Sequence, residues 1–127
     1  MASKILPYKK GTRNSSVLVA DGSSNQLFRR LHAATSAGFS VLLADSAASC
    51  ISLGSQHKPD AVLLDEALLE VDQWSVPEML NLVSPKSVIV LSTDEPTKWQ
   101  HLPKFVSRVV PRSDPTAFVS VLQEILR

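Results

Sequence analysis

Aspartate, serine, threonine and arginine stand just beyond short apolar runs in this sequence, and together they define a chemistry. Asp21 follows Val17–Ala20, Asp65 follows Ala61–Leu64, Ser92 and Thr93 follow Val88–Leu91, and Arg112 follows Val106–Val110 after Pro111. Two carboxylates can hold a hard divalent cation, a hydroxyl can meet a phosphoryl oxygen, and a guanidinium can offset the remaining negative charge. Such a set points to phosphoryl transfer onto a carboxylate. Singly, the residues have plainer readings: Asp21 as a loop or helix cap, Ser92 and Thr93 as the start of a turn with Asp94, Arg112 as a surface cation. Asp65 resists that treatment, because a carboxylate closing a buried strand is costly unless it is solvated, paired or metal-bound.

These residues meet only if their strands lie side by side. The runs Val17–Ala20, Ser40–Leu43, Ala61–Leu64, Val88–Leu91 and Val106–Val110 alternate with segments of helical apolar spacing, the pattern of parallel βα units. Several runs are apolar at successive positions, as strands covered on both faces are. A first helix is predicted from Ser24 or Asn25, with Leu27, Phe28, Leu31 and Ala34 on its inner face and Gly38 ending it. A second, of small residues, runs from Ser46 to Leu53 and stops near Gly54. A third spans Pro77 to Leu82 with Ser75 as cap, and a fourth is squeezed into Thr97 to Leu102 between Pro96 and Pro103. The fifth is capped by Asp114, takes Pro115 at its first position, and shows a stripe of Phe118, Val121, Leu122 and Ile125. In an open parallel sheet, functional groups gather at the carboxyl ends of the strands beside the point where strand order reverses. Asp21 and Asp65 are therefore expected within a few ångströms of each other at one rim, open to solvent and sharing a cation.

The segment Lys58-Pro59-Asp60-Ala61-Val62-Leu63-Leu64-Asp65 resembles the third strand of the receiver domains of two-component response regulators, and Val17-Leu18-Val19-Ala20-Asp21 resembles their first. The resemblance runs from Val17 to Leu126, with Asp72 seven residues beyond Asp65, where that family often carries a further Asp. It implies an α/β, flavodoxin-like, doubly wound five-stranded parallel sheet of order 2-1-3-4-5 in three layers. Asp65 would be the phosphoacceptor, charged by a histidine kinase, a phosphotransfer protein or a small phosphodonor. Mg²⁺ would be held by Asp21, Asp65 and the backbone carbonyl of Ala67. Ser92 would follow the phosphoryl group, and Arg112 would stand where the family has Lys. Such a domain is a signalling switch rather than an enzyme, any autophosphatase activity aside. Its phosphorylation controls a downstream protein partner, and a homodimer is compatible with it.

The sequence also departs from that pattern. The family's acidic pair reads Ala20-Asp21, which removes one carboxylate and weakens Mg²⁺ binding. Gln73 replaces a usual Gly, Leu69 a common Pro, and Val109 or Val110 stands where a switch aromatic is usual, Phe105 coming too early. These departures motivate an alternative: a pseudo-receiver that binds its partner without phosphorylation. A flavin or nucleotide enzyme is disfavoured, since the loop Asp21-Gly22-Ser23-Ser24-Asn25 has neither GxGxxG nor Walker spacing.

With 127 residues, 44% of them hydrophobic and 20% charged, the chain is sized for one domain with an ordinary core. Residues 1–16 read as a basic flexible tail carrying Lys4, Lys9, Lys10 and Arg13, and 17–127 as the domain. Thirteen basic against twelve acidic residues leave a net charge of +1, too small a field to draw in nucleic acid or anionic lipid. The single Cys50 cannot close an intrachain disulfide, and His32, His57 and His101 lack metal-ligand spacing. No run approaches the roughly 18 apolar residues a bilayer requires. No membrane or direct nucleic-acid partner is expected, and a reducing cytoplasm fits best. Trp74 and Trp99 are read as core residues, with one of them open to a partner-facing role.

Overall fold

The apolar runs form strands, and their period of two decides which way each side chain faces. The structure, a computed structural model, describes residues 15–69, 75–114 and 116–126. Five strands, β1 (Ser16–Ala20), β2 (Ser40–Ala44), β3 (Ala61–Asp65), β4 (Val88–Thr93) and β5 (Val106–Pro111), pair in parallel in the order β2-β1-β3-β4-β5. The predicted flavodoxin-like topology is the one observed. Among the described residues, four α-helices accompany them: α1 (Ser24–Ser36), α2 (Ala47–His57), α3 (Ser75–Val83) and α4 (Ala117–Ile125).

Alternate residues feed two apolar layers. Val17, Val19, Ala61, Leu63, Val90 and Val110 pack with Leu27 and Ala34 of α1 and with Phe118 and Leu122 of α4. Leu18, Ala20, Val62, Leu64, Ile89 and Leu91 pack on the other face with Cys50 of α2 and Leu80 of α3. Continuing the alternation, Asp65 and Ser92 belong to the face of α1 and α4, whereas Thr93 belongs to the face of α2 and α3.

Several predicted boundaries move. Ser16 opens β1 rather than ending a tail: its N–H donates to Asp60 Oδ2 at 2.8 Å, and the Ser15 carbonyl accepts from the Ser40 N–H at 2.9 Å. The rest of the expected tail, 1–14, lies outside the described residues, as do Asp72, Gln73, Trp74 and Pro115. Helix α2 does not stop at Gly54 but continues to His57. A Cβ at Gly54 would come 3.1 Å from Leu80 Cδ2, so this glycine serves the close approach of α2 to α3. The helix is closed instead by Lys58 in the left-handed region at φ 48°, whose ammonium donates to the carbonyls of Ser55 and Val83. Helix α3 already starts at Ser75. The helix predicted over Thr97–Leu102 contracts to a 3₁₀ turn at Pro96–Lys98, since Pro96 and Pro103 leave too little chain for α-helical pairing. The N-cap of α4 falls to Thr116, without a side-chain capping bond, rather than to the predicted Asp114, whose Oδ1 accepts from the Thr116 N–H at 3.0 Å just ahead of the helix. Among the described residues, no helix is long and apolar enough to cross a membrane.

Candidate functional site

Strand register brings the predicted residues together. Ala20 pairs with Leu64 and Asp65 with Ser92, so Asp21, one residue past Ala20, sits across from Asp65. Beyond β5, the Arg112 N–H donates to the Thr93 carbonyl at 2.7 Å, which turns its side chain back over the same rim. Asp21, Asp65, Ala67 and Arg112 line a shallow cleft of about 400 Å³ with Gly22, Ser23 and Gln26. Ser92 lies beneath them, fully buried.

One expectation fails. The two aspartates are near each other but not open to solvent: Asp21 is 3% and Asp65 1% exposed. The cause is a residue the sequence reading passed over. Arg30, on α1, is 2% exposed and inserts its guanidinium between them. Nη1 donates to Asp21 Oδ2 at 2.8 Å and stands 3.7 Å from Asp65 Oδ1, while Nη2 donates to Ser92 Oγ at 2.5 Å. The signal lay in the spacing of Leu27, Arg30 and Ala34, which are the buried residues of α1. Phe28, assigned to that face by apolarity, is 65% exposed.

Arg112 completes the neutralisation. Its Nε donates to Asp65 Oδ1 at 2.8 Å and its Nη2 to Asp65 Oδ2 at 2.9 Å, a two-pronged pairing that lysine cannot make. Nη1 reaches Asp94. Asp65 Oδ2 also accepts from the Ala67 N–H at 3.0 Å, and Asp21 Oδ1 from the Ser23 N–H at 2.8 Å. Each of the four carboxylate oxygens thus has a donor within the protein. Burial raises the Asp21 pKa above its ordinary range; the Ser23 N–H opposes this, the Asp65 charge adds to it, and the two arginines oppose it without prevailing. Burial likewise lowers the Arg30 pKa against the pull of Asp21 and Asp65. The Asp65 hydrogen bonds raise that of Arg112.

Glu66 is a second residue missed from sequence. Turned to the other face, its carboxylate accepts from Thr93 Oγ1 at 2.7 Å, Lys98 Nζ at 3.1 Å and Trp99 Nε1 at 3.1 Å. Thr93 is thereby held by Glu66 rather than by the aspartates. Trp99 is buried, tying the β4–β5 connection to the end of β3. Burial pushes the Glu66 pKa up, but these hydrogen bonds outweigh it and leave the carboxylate below its usual range.

The residues expected to hold Mg²⁺ do not fit it. The ion needs close-set oxygens at roughly 2.0–2.1 Å, and the position between Asp21 and Asp65 is taken by the Arg30 guanidinium. The third carboxylate is missing at Ala20, and Ala67 engages Asp65 through its N–H. Gln26 Oε1, the one buried side-chain oxygen or nitrogen without a partner among the described residues, adds a single neutral acceptor. That does not replace a carboxylate. Among the described residues, no cluster of three or more His, Cys, Asp or Glu side chains could hold a metal.

The fold is that of response regulator receiver domains. The signal receiver domain of an HD domain-containing protein from Pseudomonas fluorescens superposes with a TM-score of 0.76 at 17% identity, over 90% of this chain and 95% of that one. A CheY-like receiver domain protein from Methanospirillum hungatei gives 0.76 at 14%, over 90% and 94%. A chemotaxis response regulator of Vibrio cholerae gives 0.74 at 16%, over 89% and 99%. No family model and no curated protein matches the sequence.

Proposed function

We propose that this chain is a receiver-fold signalling module that engages a protein partner without phosphorylation of Asp65. The observation that carries the reading is the pairing of Arg112 with both Asp65 oxygens, on a carboxylate that is 1% exposed. An attacking carboxylate needs a free lone pair aimed at phosphorus and a cation to gather the phosphoryl oxygens. Here both Asp65 oxygens already accept hydrogen bonds, and Arg30 stands where such a cation would sit. The buried, free Cys50 is compatible with the reducing cytoplasm proposed as its compartment.

A second reading keeps Asp65 as the phosphoacceptor for a histidine kinase or small phosphodonor. Its support is the register, which sets Asp65 beside Ser92 and under Arg112. It requires Arg30 to give way to Mg²⁺. Intact-mass measurement after incubation with acetyl phosphate and millimolar Mg²⁺ separates the two. The proposal expects wild type and Asp65→Ala to remain equally unmodified, and gain of one phosphoryl group by wild type alone would refute it.

A further inference from the structure

We propose that the Arg30 guanidinium is a built-in replacement for a divalent cation, and that removing it uncovers a cation site formed by Asp21 and Asp65. This concerns the pocket invoked above and rests on its being neutralised from within.

The geometry carries the inference. A single nitrogen, Nη1, bridges the aspartates at 2.8 and 3.7 Å, as one cation shared by two carboxylates would. The second terminal nitrogen holds the Ser92 hydroxyl. The residue comes from the inner face of α1, where Leu27 one turn before it and Ala34 one turn after it are its buried neighbours, so the guanidinium is positioned by the helix rather than by a mobile surface arm. Charge points the same way. Asp21 and Asp65 already face Arg30 and Arg112, the latter shared with Asp94, and a divalent ion added to that set would leave excess positive charge in a poorly solvated pocket. With Arg30 gone, Asp21 would be left with the Ser23 N–H and Asp65 with Arg112 and the Ala67 N–H. The cleft already reaches both aspartates and would give an ion its path.

The test follows the amide resonances of Asp21–Ser23 and Asp65–Ala67 during titration with MgCl₂, using NaCl at matched ionic strength as control. Wild type is expected to show no saturable shift at millimolar Mg²⁺. Arg30→Met, which keeps an unbranched stem, is expected to bind Mg²⁺ at least about tenfold more tightly than wild type, about 1.4 kcal/mol. Adding Asp21→Asn should abolish that gain. Should Arg30→Met be unfolded in metal-free buffer, Arg30→Gln takes its place in the titration, and recovery of Arg30→Met folding by Mg²⁺ supports the proposal equally. Saturable binding by wild type, or no Mg²⁺ response in any Arg30 variant, overturns it. The latter result would leave the phosphorylation-independent reading standing, whereas Asp65-dependent phosphorylation of wild type would strike that reading.

Discussion

Replacing Arg30 by methionine should be among the most destabilising single changes in this domain, and the cost can be bounded. Methionine retains much of the buried stem, so the loss falls on the guanidinium contacts. Asp65 keeps Arg112, so the main casualty is Asp21, whose side chain is 5% exposed and would hold only the Ser23 N–H. A carboxylate left that way escapes its penalty by taking up a proton. From an ordinary pKa of 3.8, protonation at pH 7 costs about 4 kcal/mol, at 1.36 kcal/mol per unit, and this caps the electrostatic part. The orphaned Ser92 hydroxyl adds about 1 kcal/mol that does not depend on pH. A loss of about 3–5 kcal/mol at pH 7 is therefore expected, as for other broken buried ion pairs. In the variant, the folded-state pKa of Asp21 lies further above its unfolded value. The penalty is then absent below the unfolded pKa and grows as pH rises toward the folded one. Urea unfolding at pH 7 and near pH 4 measures both effects, and Arg30→Met/Asp21→Asn should recover more than half the loss at pH 7. A loss below about 1 kcal/mol, or one that is the same at both pH values, would refute the reasoning.

Three further outcomes are expected. The Glu66 pKa is depressed, so its contribution is present above about 4.5 and lost as pH falls through the folded value; the stability advantage of wild type over Glu66→Gln should shrink on acidification, and a constant gap from pH 7 to pH 3 would contradict this. Burial pushes the Cys50 thiol up to about 12, so the native protein should resist a thiol reagent at pH 8 and react once unfolded in urea. Gly54→Ala should forgo the gain of about 1 kcal/mol that a helix interior normally gives, because its Cβ meets Leu80 in the core; a higher Tm would show that Leu80 can yield.

The sheet was legible because β1, β3 and β4 each carry four successive apolar residues, the pattern of a short strand covered on both faces. The convergence of Asp21, Asp65, Ser92 and Arg112 followed from strand ends alone. What escaped was chemistry hidden in a helix. Ranking α1 residues by apolarity put Phe28 inward and overlooked Arg30, although two acidic strand ends called for a cation nearby and a helix position aligned with Leu27 could supply one. Glu66 escaped for a related reason: of its partners, Lys98 and Trp99 lie on a connection predicted to be helical, and the contraction to a 3₁₀ turn brings them, with Thr93 at the end of β4, over the end of β3. The extension of α2 past Gly54 was hidden because a glycine marks a helix end or a close contact alike, and the sequence does not say which.

A positive charge delivered by a side chain differs from a dissolved ion in one respect that follows from its covalent attachment. An ion stabilises a protein in proportion to the logarithm of its concentration over its dissociation constant, so occupancy follows the supply of magnesium and can be stripped by a chelator. Arg30 has no dissociation step of that kind. Chelator and a shifting magnesium supply give no purchase on the strand ends it holds together.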